Sequence, residues 1–126
     1  MHKIFYKMNG NGCPVPCSFN ELVEWQDSLH KDMKTGLGCS IARTYIPVQS
    51  QNVMISTIFF PQDHSFGYGN KPVLWETMVF DYPDVDCNRL QFRTTSIDNA
   101  LKQHQHCVEC VLNRDVERMS LITEEL

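Results

Sequence analysis

Apolar and polar positions change their period several times along this chain, and the changes mark out its elements. Near the N-terminus, IFYK alternates apolar with polar side chains and predicts a short first strand. NGNGCPVPC, residues 9–17, combines two Asn-Gly steps with two prolines and reads as a turn or loop. Ser18 followed by Glu21 is a capping box, in which each side chain satisfies a backbone N–H at a helix start. Phe19, Leu22, Val23, Gln26, Leu29 and Met33 then recur at helical spacing, and Gly36 is a stop. GCSIARTYIPV, residues 38–48, turns β-like at Ile41, Arg43 and Tyr45 and ends at Pro47. The strongest strand patterns are NVMISTIFF at 52–60 and PVLWETMVF at 72–80. LQFRTT at 90–95 is a further strand beyond the turn-like DYPDVDCN. Thr95 or Ser96 caps a second helix reaching about Asn113, with Thr95 and Asp98 a weaker capping box. Residues 114–126 read as a frayed tail or a short extra helical piece.

The order is β-α-β-β-β-β-α. It predicts an α+β fold: an antiparallel sheet of four to five strands with two helices packed on one face. At 126 residues, with neither an internal repeat nor a low-complexity segment, the chain suits a single globular domain over 1–126.

If the strands at 53–60 and 73–80 pair with Phe60 opposite Val73, Thr57 falls opposite Glu76 in an otherwise apolar row. A carboxylate there needs a partner such as Thr57, Arg93 or a histidine. Glu76 is then either an acid/base or ligand-binding group, or a residue on the wet side of the sheet. The connection between these strands, PQDHSFGYGNKP at 61–72, holds more chemistry than a turn needs. Asp63 could orient the His64 imidazole, while Gly67 and Gly69 permit close backbone approach. Phe66 and Tyr68 either face a ligand or tuck back to anchor the loop.

Charge narrows the field. The net charge of −4 argues against sequence-independent nucleic-acid binding, which needs a basic patch. No apolar run approaches a membrane span, and the N-terminus lacks the apolar stretch of a signal peptide. The six cysteines are therefore expected in a reducing cytosol, as thiols. Cys13-x₃-Cys17 and Cys107-x₂-Cys110, with His106 beside the second pair, have spacing that could hold zinc. The other reading makes the cysteines small core hydrophobes. No other cofactor is suggested. On the second helix, Ile97, Leu101, His104, Val108 and Val111 form a stripe, so His104 points towards the core. It is either a satisfied core histidine or a group reaching Asp63–His64 or Glu76 to complete a polar site.

The run ISTIFFPQDHSFGYGNKPVLWETMVF resembles the central segment of a family of small proteins encoded by tailed bacteriophages and prophages. There a strand near "VSTVFLGLDH" leads through an aromatic- and glycine-bearing loop into "PPLLFETMVF". Ser56, Thr57, Phe59, Asp63, His64, Phe66, Gly67, Pro72, Leu74, Glu76, Thr77, Met78, Val79 and Phe80 match that pattern. PVPC before a helix containing EW resembles the family's start, and FRTTSIDNALKQH its end, with His104 at the family's histidine. The chain departs from the pattern at PQDH, DYPDVDCN and Lys102-Gln103, and HCVEC is no part of it. The resemblance implies a phage accessory protein working in the host cytoplasm, and it brings no activity with it.

Three functions compete. The first is a binding protein that engages a host protein, inhibiting a defence or regulatory factor. The second sequesters a nucleotide signal in the 61–72 loop, with Tyr68, Trp75 and Arg93 as contacts. The third is a metal-dependent phosphoester hydrolase using Asp63, His64, Glu76 and His104, for which no HEXXH, Walker or HNH-type spacing is present. Binding is favoured over catalysis. An exposed sheet face or edge would also allow a homodimer.

Overall fold

The computed structural model describes residues 5–11, 13–32, 39–63, 71–86 and 90–119, with side chains of the first helix described as far as residue 28. It has the expected α+β architecture, an antiparallel sheet of four strands with helices, and adds a small second sheet.

That second sheet is a hairpin of β1 (Tyr6–Met8) and β2 (Pro14–Pro16), where the sequence suggested a loop. Both prolines escape the usual penalty because of where they fall. Asn9 N–H donates to the Cys13 carbonyl at 2.8 Å and Cys17 N–H to the Phe5 carbonyl at 3.0 Å. Odd-numbered residues therefore carry the ladder, and Pro14 and Pro16 occupy positions whose nitrogens need no partner. Asn9 closes the turn, its Oδ1 accepting from the N–H groups of Asn11 and Cys13.

Helix α1 (Phe19–Asp32) begins with the predicted box: Ser18 N–H donates to Glu21 Oε1 at 3.0 Å, and Glu21 N–H donates to Ser18 Oγ at 3.1 Å. Its buried face differs from the predicted stripe. Leu22 is buried, but Phe19 and Val23 are exposed, and Trp25 packs edge-on against Phe59 with ring centroids 5.8 Å apart. The indole carries more apolar area than valine, so the helix turns it inward. Leu29, Met33 and the Gly36 stop lie outside the described residues or side chains.

The main sheet runs β3 (Ser40–Val48), β4 (Gln51–Phe59), β5 (Trp75–Phe80) and β6 (Gln91–Thr94), each antiparallel to its neighbour and in chain order. The β4–β5 register differs by one residue from the pairing assumed above. Phe59 lies opposite Trp75, Thr57 opposite Thr77 and Ile58 opposite Glu76. A one-residue slip moves every side chain of β5 to the other face. The observed register puts Trp75 (3% exposed), Thr77 and Val79 beneath the helices and spares Glu76 from that core.

Helix α2 (Ile97–Leu112) starts at Ser96, whose side chain accepts from Asn99 N–H, and lies across all four strands. Its buried residues are Ala100, Gln103, His104, Cys107, Cys110 and Val111, whereas Leu101 of the predicted stripe is exposed. Small Ala100 and the two thiols let the helix sit close on the strands, and rotation outward costs only one leucine. The short α3 (Val116–Met119) follows and buries Met119 in the same core. Since Trp25 of α1 meets Phe59 on this same side, both long helices lie on one face of the sheet. Among the described residues no helix is long and apolar enough to cross a membrane.

Candidate functional site

The face away from the helices can be laid out from the register. Across it run the rows Ser40–Ile58–Glu76–Arg93, Arg43–Ser56–Met78–Gln91 and Tyr45–Met54–Phe80. Met54, Ile58, Met78 and Phe80 are half-buried and Tyr45 is 53% exposed, although antiparallel strands facing water normally alternate towards polar residues. Ser56 is a short side chain whose neighbours on the central strands are long. It floors a depression of about 200 Å³ walled by Arg43, Met54, Ile58, Glu76, Met78 and Phe80. Methionine walls suit adaptable contacts, because the unbranched thioether repacks at little cost.

Glu76 borders this depression and is 7% exposed. Its Oε2 accepts from Arg93 Nε at 2.8 Å and from Gln91 Nε2 at 2.7 Å, so the neighbouring strand compensates its desolvation. Glu76 is thus a structural carboxylate on the open side. The Thr–Glu pair expected across β4 and β5 does not form.

On the covered face a second polar group is buried. His104 on α2 is hydrogen-bonded through Nε2 to Thr44 Oγ1 at 2.9 Å and through Nδ1 to Thr57 Oγ1 at 2.8 Å. Thr57 Oγ1 continues to Thr77 Oγ1 at 2.6 Å. A neutral imidazole offers one donor and one acceptor, which is what two hydroxyls can complement. Burial holds the ring below the usual histidine pKa and keeps it neutral. His104 is therefore a satisfied core histidine, and a whole sheet separates it from Glu76.

Beside this network the satisfaction stops. Trp75 Nε1, Thr94 Oγ1 and both amide atoms of Gln103 are buried without a hydrogen-bond partner among the described residues. Left bare, such groups cost about 1–3 kcal/mol each. Four of them would consume a sum comparable to the roughly 5–15 kcal/mol that holds a domain folded.

The remaining predicted residues scatter. Asp63 is buried, and its Oδ1 accepts from Val73 N–H at 2.9 Å, so it ties together the two ends of the 61–72 connection. His64, Phe66 and Tyr68 lie outside the described residues. Trp75 is sealed in the core against Phe59, centroids 5.7 Å apart, which removes it as a ligand contact on the open face. Glu76 and His104 on opposite faces cannot share one metal, so the proposed hydrolase set does not assemble. Cys107 and Cys110 sit in the core under α2, Cys17 is buried beside α1, and Cys13 is exposed in the hairpin. Burial and the nearby Cys110 push the Cys107 thiol up to about 12. His106 Nε2 lies 3.6 Å from Cys110 Sγ and 3.3 Å from the Arg118 carbonyl. Among the described residues no group of three or more His, Cys, Asp or Glu side chains is placed to hold a metal ion.

Sequence reasoning missed Thr44, Thr77, Thr94 and Gln103 on the covered face and Ser56 as a floor on the open one. The correct register would have exposed the threonine ladder. No family model matches the chain, no curated protein matches it, and no solved structure matches its fold.

Proposed function

We propose that the chain is an accessory protein of the tailed-phage type that acts in the host by binding a host protein through the open face of its sheet. One observation carries this reading: Tyr45, Met54, Ile58, Met78 and Phe80 form an apolar surface around the Ser56 depression, on the side away from both long helices. The described residues of this face contribute two guanidiniums, Arg43 and Arg93, and one carboxylate, Glu76, in a chain whose net charge is −4. That balance fits a partner segment seating an apolar side chain over Ser56 with an acidic group beside it. Inhibition of a defence or regulatory factor is the outcome such occupation would have. The nucleotide-sequestering alternative loses support with Trp75 buried on the other face.

The test places a photo-reactive amino acid at Met78, with Glu109 on the outer side of α2 as control, in bacteria expressing the chain. Met78 should crosslink one host protein, and Met54→Glu should abolish the crosslink without unfolding the chain. Crosslinks to a second copy would make the face a homodimer interface instead. Equal labelling from both positions would remove the proposal.

A further inference from the structure

We propose that Trp75, Thr94 and Gln103 form an internal binding site, beneath α2, for a small neutral hydrogen-bonding molecule, with water as its resident. Trp75 and Thr94 lie directly opposite each other on β5 and β6, on the covered face. Gln103 faces them for a reason of helix geometry. His104 leans towards β3 and β4, where it meets Thr44 and Thr57. Its neighbour Gln103, about 100° around the helix, leans the other way, towards β5 and β6. Ala100, one turn earlier, packs in the same cluster as Trp75.

The three side chains do not bond one another, although they are between 1% and 3% exposed. Between them they offer the Trp75 indole N–H, two N–H donors and a carbonyl from Gln103, and a hydroxyl that both donates and accepts. A guest that accepts from the indole and donates to the Gln103 carbonyl satisfies them together, and one water can make three or four such bonds. The guest is neutral because the sheet residues of the covered face and the buried residues of α2 include no Asp, Glu, Lys or Arg to balance an ion.

Water is itself the probe. In the wild-type protein, the Trp75 indole N–H should show a nuclear Overhauser cross-peak to water with the sign of a long-lived bound molecule. Thr94→Val removes exchange through the hydroxyl as its source, and the cross-peak should persist. In Gln103→Met/Thr94→Val it should vanish while Trp75 stays buried. A cross-peak to a protein acceptor, with none to water, overturns the proposal. A second readout does not depend on that signal. If Gln103 holds a guest, Gln103→Met strands the guest's other partners and lowers the folding equilibrium constant about tenfold. If the amide is simply bare, the same substitution raises it. A raised constant with a native spectrum therefore also overturns the inference.

Discussion

Replacing His104 with phenylalanine keeps the ring's volume while removing both nitrogens, which isolates the polar seam from packing. The variant loses the bonds to Thr44 at 2.9 Å and Thr57 at 2.8 Å. Each is worth about 1 kcal/mol net, with a further penalty for a hydroxyl left under-satisfied. Thr57 keeps Thr77 at 2.6 Å, and half-buried Thr44 can recover water, so that penalty is modest. The expected loss at neutral pH is about 2–3 kcal/mol, a large fraction of a domain's stability. Acid should shrink it. Burial lowers the His104 pKa in the folded state, so below the unfolded value of about 6.5 the unfolded chain binds more protons. The histidine's stabilisation is complete above that pH and is lost as pH falls towards the folded value, by at most about 1.4 kcal/mol per pH unit. The phenylalanine variant lacks this component. Urea unfolding at pH 7.5, 6.5 and 5.5 should therefore show the gap between wild type and variant narrowing with acid. A gap that stays constant or widens would refute the assignment of His104 as a buried neutral ring.

Three further outcomes follow from the geometry. A double-mutant cycle of Glu76→Gln and Arg93→Met, read by urea unfolding, should give a coupling of only about 0.5–1 kcal/mol. The Arg93 side chain is 37% exposed, and water screens the pair. Ser18→Ala should cost about 1 kcal/mol, and adding Glu21→Ala should cost less than the two separate changes because their bonds are reciprocal. Under native conditions at pH 8, a disulfide reagent should label exposed Cys13 rapidly and leave Cys107 untouched until the chain unfolds. Peptide mapping would show otherwise if the core under α2 opens easily.

Elements with local causes were legible in the sequence. The Ser18–Glu21 box, the four strands of the main sheet and the second helix follow from capping chemistry and periodicity, which act within a few residues. The β1–β2 hairpin was hidden because prolines normally argue against a strand. Their compatibility depends on which nitrogens face the partner, a property of pairing. Likewise the stripe on α2 was read one step out, since Leu101 is as apolar as the thiols and alanine that displaced it. Packing distance decides that choice.

The β4–β5 register shows most plainly what a sequence withholds. ISTIFF carries apolar side chains on both faces, so the period-2 contrast that normally fixes register is weak. Either pairing satisfies the backbone ladder and matches apolar against apolar. What separates them is the competition between Trp75 and Glu76 for the covered face. Burying the indole gains apolar area, whereas burying the carboxylate there would leave it remote from Arg93 and Gln91, which β6 presents on the other side. The same choice sets Thr57 against Thr77 and so builds the ladder that receives His104. A single residue of slip thus determines which polar groups can meet. That is why His104 and Glu76, the two most suggestive residues of the motif within the described structure, belong to different halves of the molecule. One braces the core, and the other borders the surface proposed for binding.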